Sequence, residues 1–225
     1  LLVLGGTGFV GGATVTEALR RDWSVTVFNR GLHGAVPDRV RRLRGDRSAP
    51  DGLSALAGGE WDLVIDTWDG EPRAVLNAAR ALVGSTGHYV YVSSRSVYRE
   101  PVALGADERA PVVDAASDAL DGGYAELKAG GERAAREVFG ERALIARAGL
   151  ILGPGEDIGR LPWWLQRVAR GGQVLAPGPA DLPLQYIDAR DLVSWLLDLG
   201  RERVGGTFNV VSRTGHATMG ELLAA

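Results

Sequence analysis

The chain has 225 residues, 45% of them hydrophobic, which suffices for one α/β domain of moderate size with a small extra lobe and a substantial core. A net charge of −3 gives no overall electrostatic reason to bind nucleic acid, and the absence of cysteine excludes disulfides, thiolate metal sites and a cysteine nucleophile. No apolar run approaches the roughly 18 residues of a membrane span.

The elements read as β then α, repeated. Leu1–Leu4 is an apolar strand that runs into GGTGFVGG, and Ala13–Arg21 reads as a helix. Ser24–Phe28 alternates β-branched residues and predicts a second strand, with a third over Val40–Arg44. Asp62–Asp66 is a fourth strand, followed by a helix over Arg73–Val83. His88–Ser93 is a fifth strand, Gly122–Phe139 a long helix and Arg142–Ala148 a sixth strand. This alternation predicts an α/β fold: a doubly wound, Rossmann-type parallel sheet covered on both faces. After Gly149 turn-rich segments bracket a helix near Leu161–Arg170 with a Trp pair, as expected of a small C-terminal lobe. Tyr186–Leu199 reads as strand and helix, and Gly206–Val211 as a further strand. The expected division is therefore residues 1–149 as the dinucleotide-binding domain and 150–225 as mainly the substrate lobe, with 184–200 returning to the core. Leu1 already lies inside an apolar strand and MGELLAA reads as a helix cut short, so both ends are expected to continue. With no leader visible, the cytoplasm is the default location.

Gly5, Gly6, Gly8 and Gly11 stand between the first strand and the first helix, the context a dinucleotide fingerprint requires. The early glycines allow the turn, Gly8 lets the backbone approach a pyrophosphate, and Gly11 lets helix and strand pack closely. The helix start then offers free N–H groups and partial positive charge to the phosphates. No Gly-Lys-Ser/Thr follows, which excludes a P-loop. The second strand ends at neutral Asn29 followed by Arg30, where an acid for the ribose 2′-hydroxyl is common. A guanidinium suits a 2′-phosphate, so NADP is favoured, with NAD as the alternative. Asp46 is a candidate acceptor for the adenine amino group, or a turn aspartate. The basic run RVRRLRGDR reads as the charged rim of the third strand, since no aromatic residues interleave it.

Tyr124 and Lys128 lie four residues apart on the predicted long helix, hence on one face. A free tyrosine has a pKa near 10 and is a poor acid–base group at neutral pH, but a neighbouring ammonium stabilises the phenolate. The chain carries 24 arginines and a single lysine, and that lysine follows one of five tyrosines by one helical turn. Arginine does not replace a compact ammonium that must hydrogen-bond a ribose. Ser93, Ser94 and Ser96 sit at the C-terminal end of the fifth strand, where ligands bind in an open parallel sheet. No GxSxG elbow is present, and His33, His88 and His216 read as surface or capping residues, so neither a serine hydrolase nor a metal site is expected. Trp68 is placed to face a pocket. Trp163 and Trp164, with Arg160 and Arg167 nearby, are expected to stack on a ligand ring, pin a phosphate or anchor the lobe, and as helix neighbours are not expected to face one pocket.

With these residues in place, the chain resembles an extended short-chain dehydrogenase/reductase of the NAD-dependent epimerase/dehydratase type. GGTGFVG, YVSSRSVY, YAELK, ILGPG, YIDARDL and GTFNVV occur in that family's order across nearly the whole chain. The resemblance implies a C-terminal lobe that holds a small-molecule substrate, and a triad of Ser94, Tyr124 and Lys128. Ser94 is preferred to Ser93 because the family's serine lies three residues before the Val-Tyr pair, here Val97-Tyr98. Tyr124 would be the acid–base group, and Lys128 would bind the nicotinamide ribose. Gly5, Thr7, Gly8, Phe9, Val10, Gly11, Asn29, Arg30 and Asp46 complete the expected cofactor set. A homodimer through the helices after strands four and five is also implied. The chain departs from the family at Asp66-Thr67-Trp68-Asp69 (usually Ala-rich), at Arg73, at Arg99 and at Ala148. Those departures weigh against a sugar nucleotide, and the FNRG turn and the DTWDGEP segment resemble reductase-like bacterial members. The expected activity is therefore hydride transfer to or from a small carbonyl or alcohol. A sugar-nucleotide epimerase or dehydratase is the alternative, although a dehydratase would carry an acid where Arg95 stands. A non-catalytic, cofactor-binding or RNA-associated relative is the third reading.

Overall fold

The computed structural model describes residues 1–32 and 34–224. Seven strands form one parallel sheet: β1 (Leu2–Leu4), β2 (Thr26–Asn29), β3 (Arg41–Arg44), β4 (Trp61–Asp66), β5 (Thr86–Ser94), β6 (Ala143–Ala148) and β10 (Gly206–Val210). Their order is β10-β6-β5-β4-β1-β2-β3, so the winding direction reverses between β1 and β4. Two further pairs lie in the C-terminal part: β7 (Leu150–Leu152) with β9 (Tyr186–Asp188), and β8 (Pro183–Leu184) with β11 (Ala217–Thr218).

Helices cover both faces. α1 (Phe9–Arg20) packs with α5 (Ala189–Arg201) on one side, and α2 (Pro72–Leu82) with α3 (Tyr124–Phe139) on the other. Val75, Leu82, Tyr89, Tyr91 and Phe139 are buried in one core; Val15, Ala18, Leu144, Leu192 and Leu196 are buried in the other. This two-sided burial is why the strands read as continuous apolar runs. Arg21 joins α1 to α5 by donating to Asp198 Oδ1 at 2.6 Å and Ser194 Oγ at 2.7 Å. Pro72 opens α2, where its missing N–H is no loss, and Asp188 caps α5 by accepting from Arg190 N at 2.8 Å. α4 (Arg160–Ala169) and α6 (Met219–Ala224) belong to the lobe.

Two expectations shift. The first helix starts at Phe9 rather than Ala13, so Gly11 and Gly12 are helical despite their weak propensity. Packing decides this, because α1 lies directly against the turn before it. The return to the core also runs beyond residue 200, because β10 pairs with β6 throughout its length.

Candidate active site

The C-terminal ends of β1, β2, β4 and β5 open onto one cavity of about 650 Å³. Gly5, Thr7, Gly8, Phe9, Val10 and Gly11 line it from one side, Asn29, Arg30 and Asp46 at one end, and Ser94, Tyr124 and Lys128 at the other. The structure thus brings every sequence-predicted site residue to one crevice, at the switch point where an open sheet binds its ligands.

The glycine loop has the geometry of a phosphate cradle. Gly5 and Gly6 have φ of 118° and 86°, a conformation that side-chain-bearing residues rarely adopt. A Cβ on Gly11 would stand 2.6 Å from Gly6 N, so only glycine lets α1 approach the turn. A Cβ on Gly8 would meet nothing within 4 Å, which leaves open space in front of the helix start. A diphosphate fits such a cradle on both counts, space and free N–H groups.

At the other end, Asn29 has a structural job. Its Nδ2 donates to Gly5 O at 2.9 Å, and its Oδ1 accepts from Gly31 N at 2.9 Å, tying the β2 turn to the glycine loop. Arg30 is exposed at the cavity rim. Sequence reasoning missed Arg44, which the β2–β3 register sets opposite Asn29 and whose Nε lies 3.2 Å from a Cβ position on Gly31. Two guanidinium groups therefore flank this turn. Asp46 Oδ1 accepts from Ser48 N at 3.1 Å, so it serves as a turn aspartate while still bordering the cavity.

Lys128 is 3% exposed, with its Nζ donating to Trp68 O at 2.7 Å and Val92 O at 2.6 Å and lying 4.6 Å from the Tyr91 ring. Burial pulls its pKa down to about 8, with Asp66, Asp69 and Glu132 opposing that fall. Tyr124 occupies the first turn of α3 and is 54% exposed. The two adjacent serines have different surroundings. Both line the cavity, but Ser93 Oγ donates to buried Glu132 at 2.6 Å, whereas Ser94 Oγ accepts from Ser96 N at 3.1 Å. Glu132 also holds Arg147, at 2.9 and 2.7 Å, beneath the serines.

Several sequence expectations need correction. Arg47, read as part of a charged rim, is buried and bidentate to Asp66 at 2.7 and 2.8 Å. His88, read as a surface or capping residue, is buried in β5, and burial lowers its pKa. His216 is exposed, and His33 lies outside the described residues. Trp163 and Trp164 do share one cavity, of about 430 Å³, with ring centroids 4.8 Å apart and edge to face. Long side chains spread far enough to offset the rotation between neighbouring helix positions. Trp68 does line the main cavity, as expected. Among the described residues, no helix is long and apolar enough to cross a membrane, and no group of three or more acids and histidines is placed to hold a metal ion.

The sequence model of the NAD dependent epimerase/dehydratase family matches residues 1–210. No match is found among curated proteins. Among solved structures, a protein of Burkholderia cenocepacia is 24% identical with a TM-score of 0.81, covering 99% of this chain and 78% of its own. The UDP-glucose 4-epimerase of Thermus thermophilus, in complex with NAD, is 22% identical with a TM-score of 0.75, covering 99% and 80%. The UDP-N-acetylglucosamine 4-epimerase of Methanobrevibacter ruminantium, in complex with UDP-N-acetylmuramic acid, is 18% identical with a TM-score of 0.78, covering 99% and 79%. At these identities the likeness is one of fold.

Proposed function

Since the chain belongs to the NAD dependent epimerase/dehydratase family, we propose that it is an NADP-linked oxidoreductase moving hydride between the nicotinamide and a small carbonyl or alcohol. The observation that carries this reading is the cavity itself: a glycine cradle at a helix start and a Tyr124–Lys128 pair line one continuous space. The cofactor, when bound, supplies the hydride chemistry.

The chain's own residues supply the rest. The loop from Gly5 to Gly11 holds the diphosphate on backbone N–H groups. Arg30 and Arg44 hold a 2′-phosphate, and Asp46 the adenine. Lys128 has three donors, of which two are engaged by carbonyls, leaving one N–H for the nicotinamide ribose. The Tyr124 hydroxyl gives a proton to the substrate oxygen in reduction and takes it back in oxidation, with the Lys128 ammonium one helical turn away. Ser94 Oγ orients that oxygen. Within residues 150–225, the lobe outside α5 and β10 holds the substrate.

A sugar-nucleotide epimerase is the second reading, favoured by the solved structures of like fold. Against it stands the second cavity, which borders the first through Leu150, Ile158 and Arg160. Its lining is mostly apolar, and Arg160 is its one charged residue. A sugar diphosphate needs many more polar partners than that. Tyr124→Phe tests the common core of both readings. It should lower kcat by at least about 100-fold, the usual range for a lost acid–base group, while leaving cofactor affinity within about twofold. Net cofactor consumption then separates the two readings, because an epimerase recycles it. Full activity in the variant would contradict both.

A further inference from the structure

Asp66, at the C-terminal end of β4, is fully buried, and its carboxylate accepts four hydrogen bonds. Two come from Arg47, at 2.7 and 2.8 Å, one from Tyr89 Oη at 2.6 Å and one from Trp68 N at 3.0 Å. A buried ion pair gains little over apolar packing, so the bond from Trp68 N is the informative one. Trp68 is held at its backbone N by Asp66 and at its indole Nε1 by Glu71 O, 3.1 Å away, with the Arg47 guanidinium 5.0 Å from the ring centroid. So fixed, the Trp68 carbonyl accepts from Lys128 Nζ at 2.7 Å and from Tyr91 Oη at 3.1 Å. The other acceptor of Lys128, Val92 O, belongs to β5 and is fixed by the sheet. Trp68 lies outside the strands, so its carbonyl takes its direction from what grips the loop.

We infer that Asp66 is a positioning residue for Lys128: by holding the Trp68 N–H, it fixes the Trp68 carbonyl that aims the ammonium at the cavity. The inference rests on the proposed role of Lys128 beside the acid–base tyrosine.

If Asp66 served only to neutralise Arg47, any neutral pair at these two positions would do. Two double variants separate these roles. Arg47→Met with Asp66→Asn keeps a side-chain oxygen that can accept from Trp68 N, and Arg47→Met with Asp66→Ala does not. Both lack the same two charges, which act on Lys128 in opposite directions. The other groups around the ammonium, Asp69, Glu132, Tyr91 and Tyr124, are the same in both. Because Lys128 is the only lysine, labelling with ε-13C-lysine gives a single NMR resonance whose titration follows this ammonium without substrate.

The midpoint should stay close to the wild-type value in the Asn pair. In the Ala pair it should fall by about one pH unit, since a lost acceptor disfavours the charged form. The alkaline limb of kcat/KM should move with it, and the Ala pair should be about tenfold less active than the Asn pair below that limb. Equal midpoints in the two pairs would overturn the inference. Should the Ala pair not fold, hydrogen exchange in the wild-type protein decides. The Trp68 amide should exchange as slowly as those of β4, and exchange at the rate of an open turn would overturn the inference. Retained activity in Tyr124→Phe would remove the acid–base reading but leave the NMR result intact, so the two failures are distinguishable.

Discussion

Lys128 shows what burying a single ammonium does to stability. Its ammonium is buried, and burial brings its pKa from 10.5 to about 8. The unfolded chain therefore binds this proton more tightly than the folded one. The resulting cost to stability is fully present below pH 8, amounts to about 3 kcal/mol, and is relieved as pH rises from 8 towards 10.5. Lys128→Met should accordingly unfold at higher urea concentration than wild type at pH 7, with the gap narrowing above pH 10, and should be inactive. In wild type, kcat/KM should fall as pH rises through about 8, because it reports the free enzyme's groups. This residue was readable in the sequence because a lone lysine among 24 arginines, one turn after a tyrosine, has no compositional explanation. Arg47 was not readable. Its partner Asp66 is 19 residues away at the end of β4, and nothing local separates Arg47 from the nearby arginines of β3. Glu132 and Arg147, 15 residues apart, were hidden for the same reason.

At the scale of elements, the glycine loop and α1 divide two jobs between two glycines. Gly8 has φ of −85°, open to any residue, and space in front of it. Gly8→Val should therefore leave the melting temperature nearly unchanged while lowering cofactor affinity at least about tenfold, by filling the cradle. Gly11 faces backbone, so Gly11→Ala forces α1 away from the turn. Overpacking of this kind costs about 1–3 kcal/mol, and the melting temperature should fall by several degrees even without cofactor. Thermal melts and cofactor titrations of the two variants check this, and the reverse pattern would contradict the assignment. Strand and helix identities were legible from periodicity, whereas their ends were not. Gly11 and Gly12 lowered the expected helicity of a segment that tertiary packing makes helical. His88 was misread because one imidazole in an apolar strand carries no sign of its own burial.

At the scale of the molecule, the alternation of strands and helices foretold the doubly wound sheet, and with it the crevice at the switch between β1 and β4. The place of β10 beside β6 was not foretold, because adjacency in a sheet depends on a long crossover between the two strands, through the lobe and α5. The shared cavity of Trp163 and Trp164 likewise depends on how the lobe folds back with β8, β9 and α6, which no helical wheel contains. What reaches the proposed function from this scale is one continuous space with a basic turn at one end and Tyr124 and Lys128 at the other.

The most direct test of that arrangement is the melting temperature of the wild-type protein and of Arg30→Ala with each of NAD+, NADH, NADP+ and NADPH. At about a hundredfold excess over the dissociation constant, a bound cofactor stabilises by about 2.7 kcal/mol, a rise of roughly 5–10 °C for a chain of this size. The phosphorylated pair should raise the wild type more than the unphosphorylated pair, and Arg30→Ala should remove the difference. No rise with any of the four would contradict the account at its root.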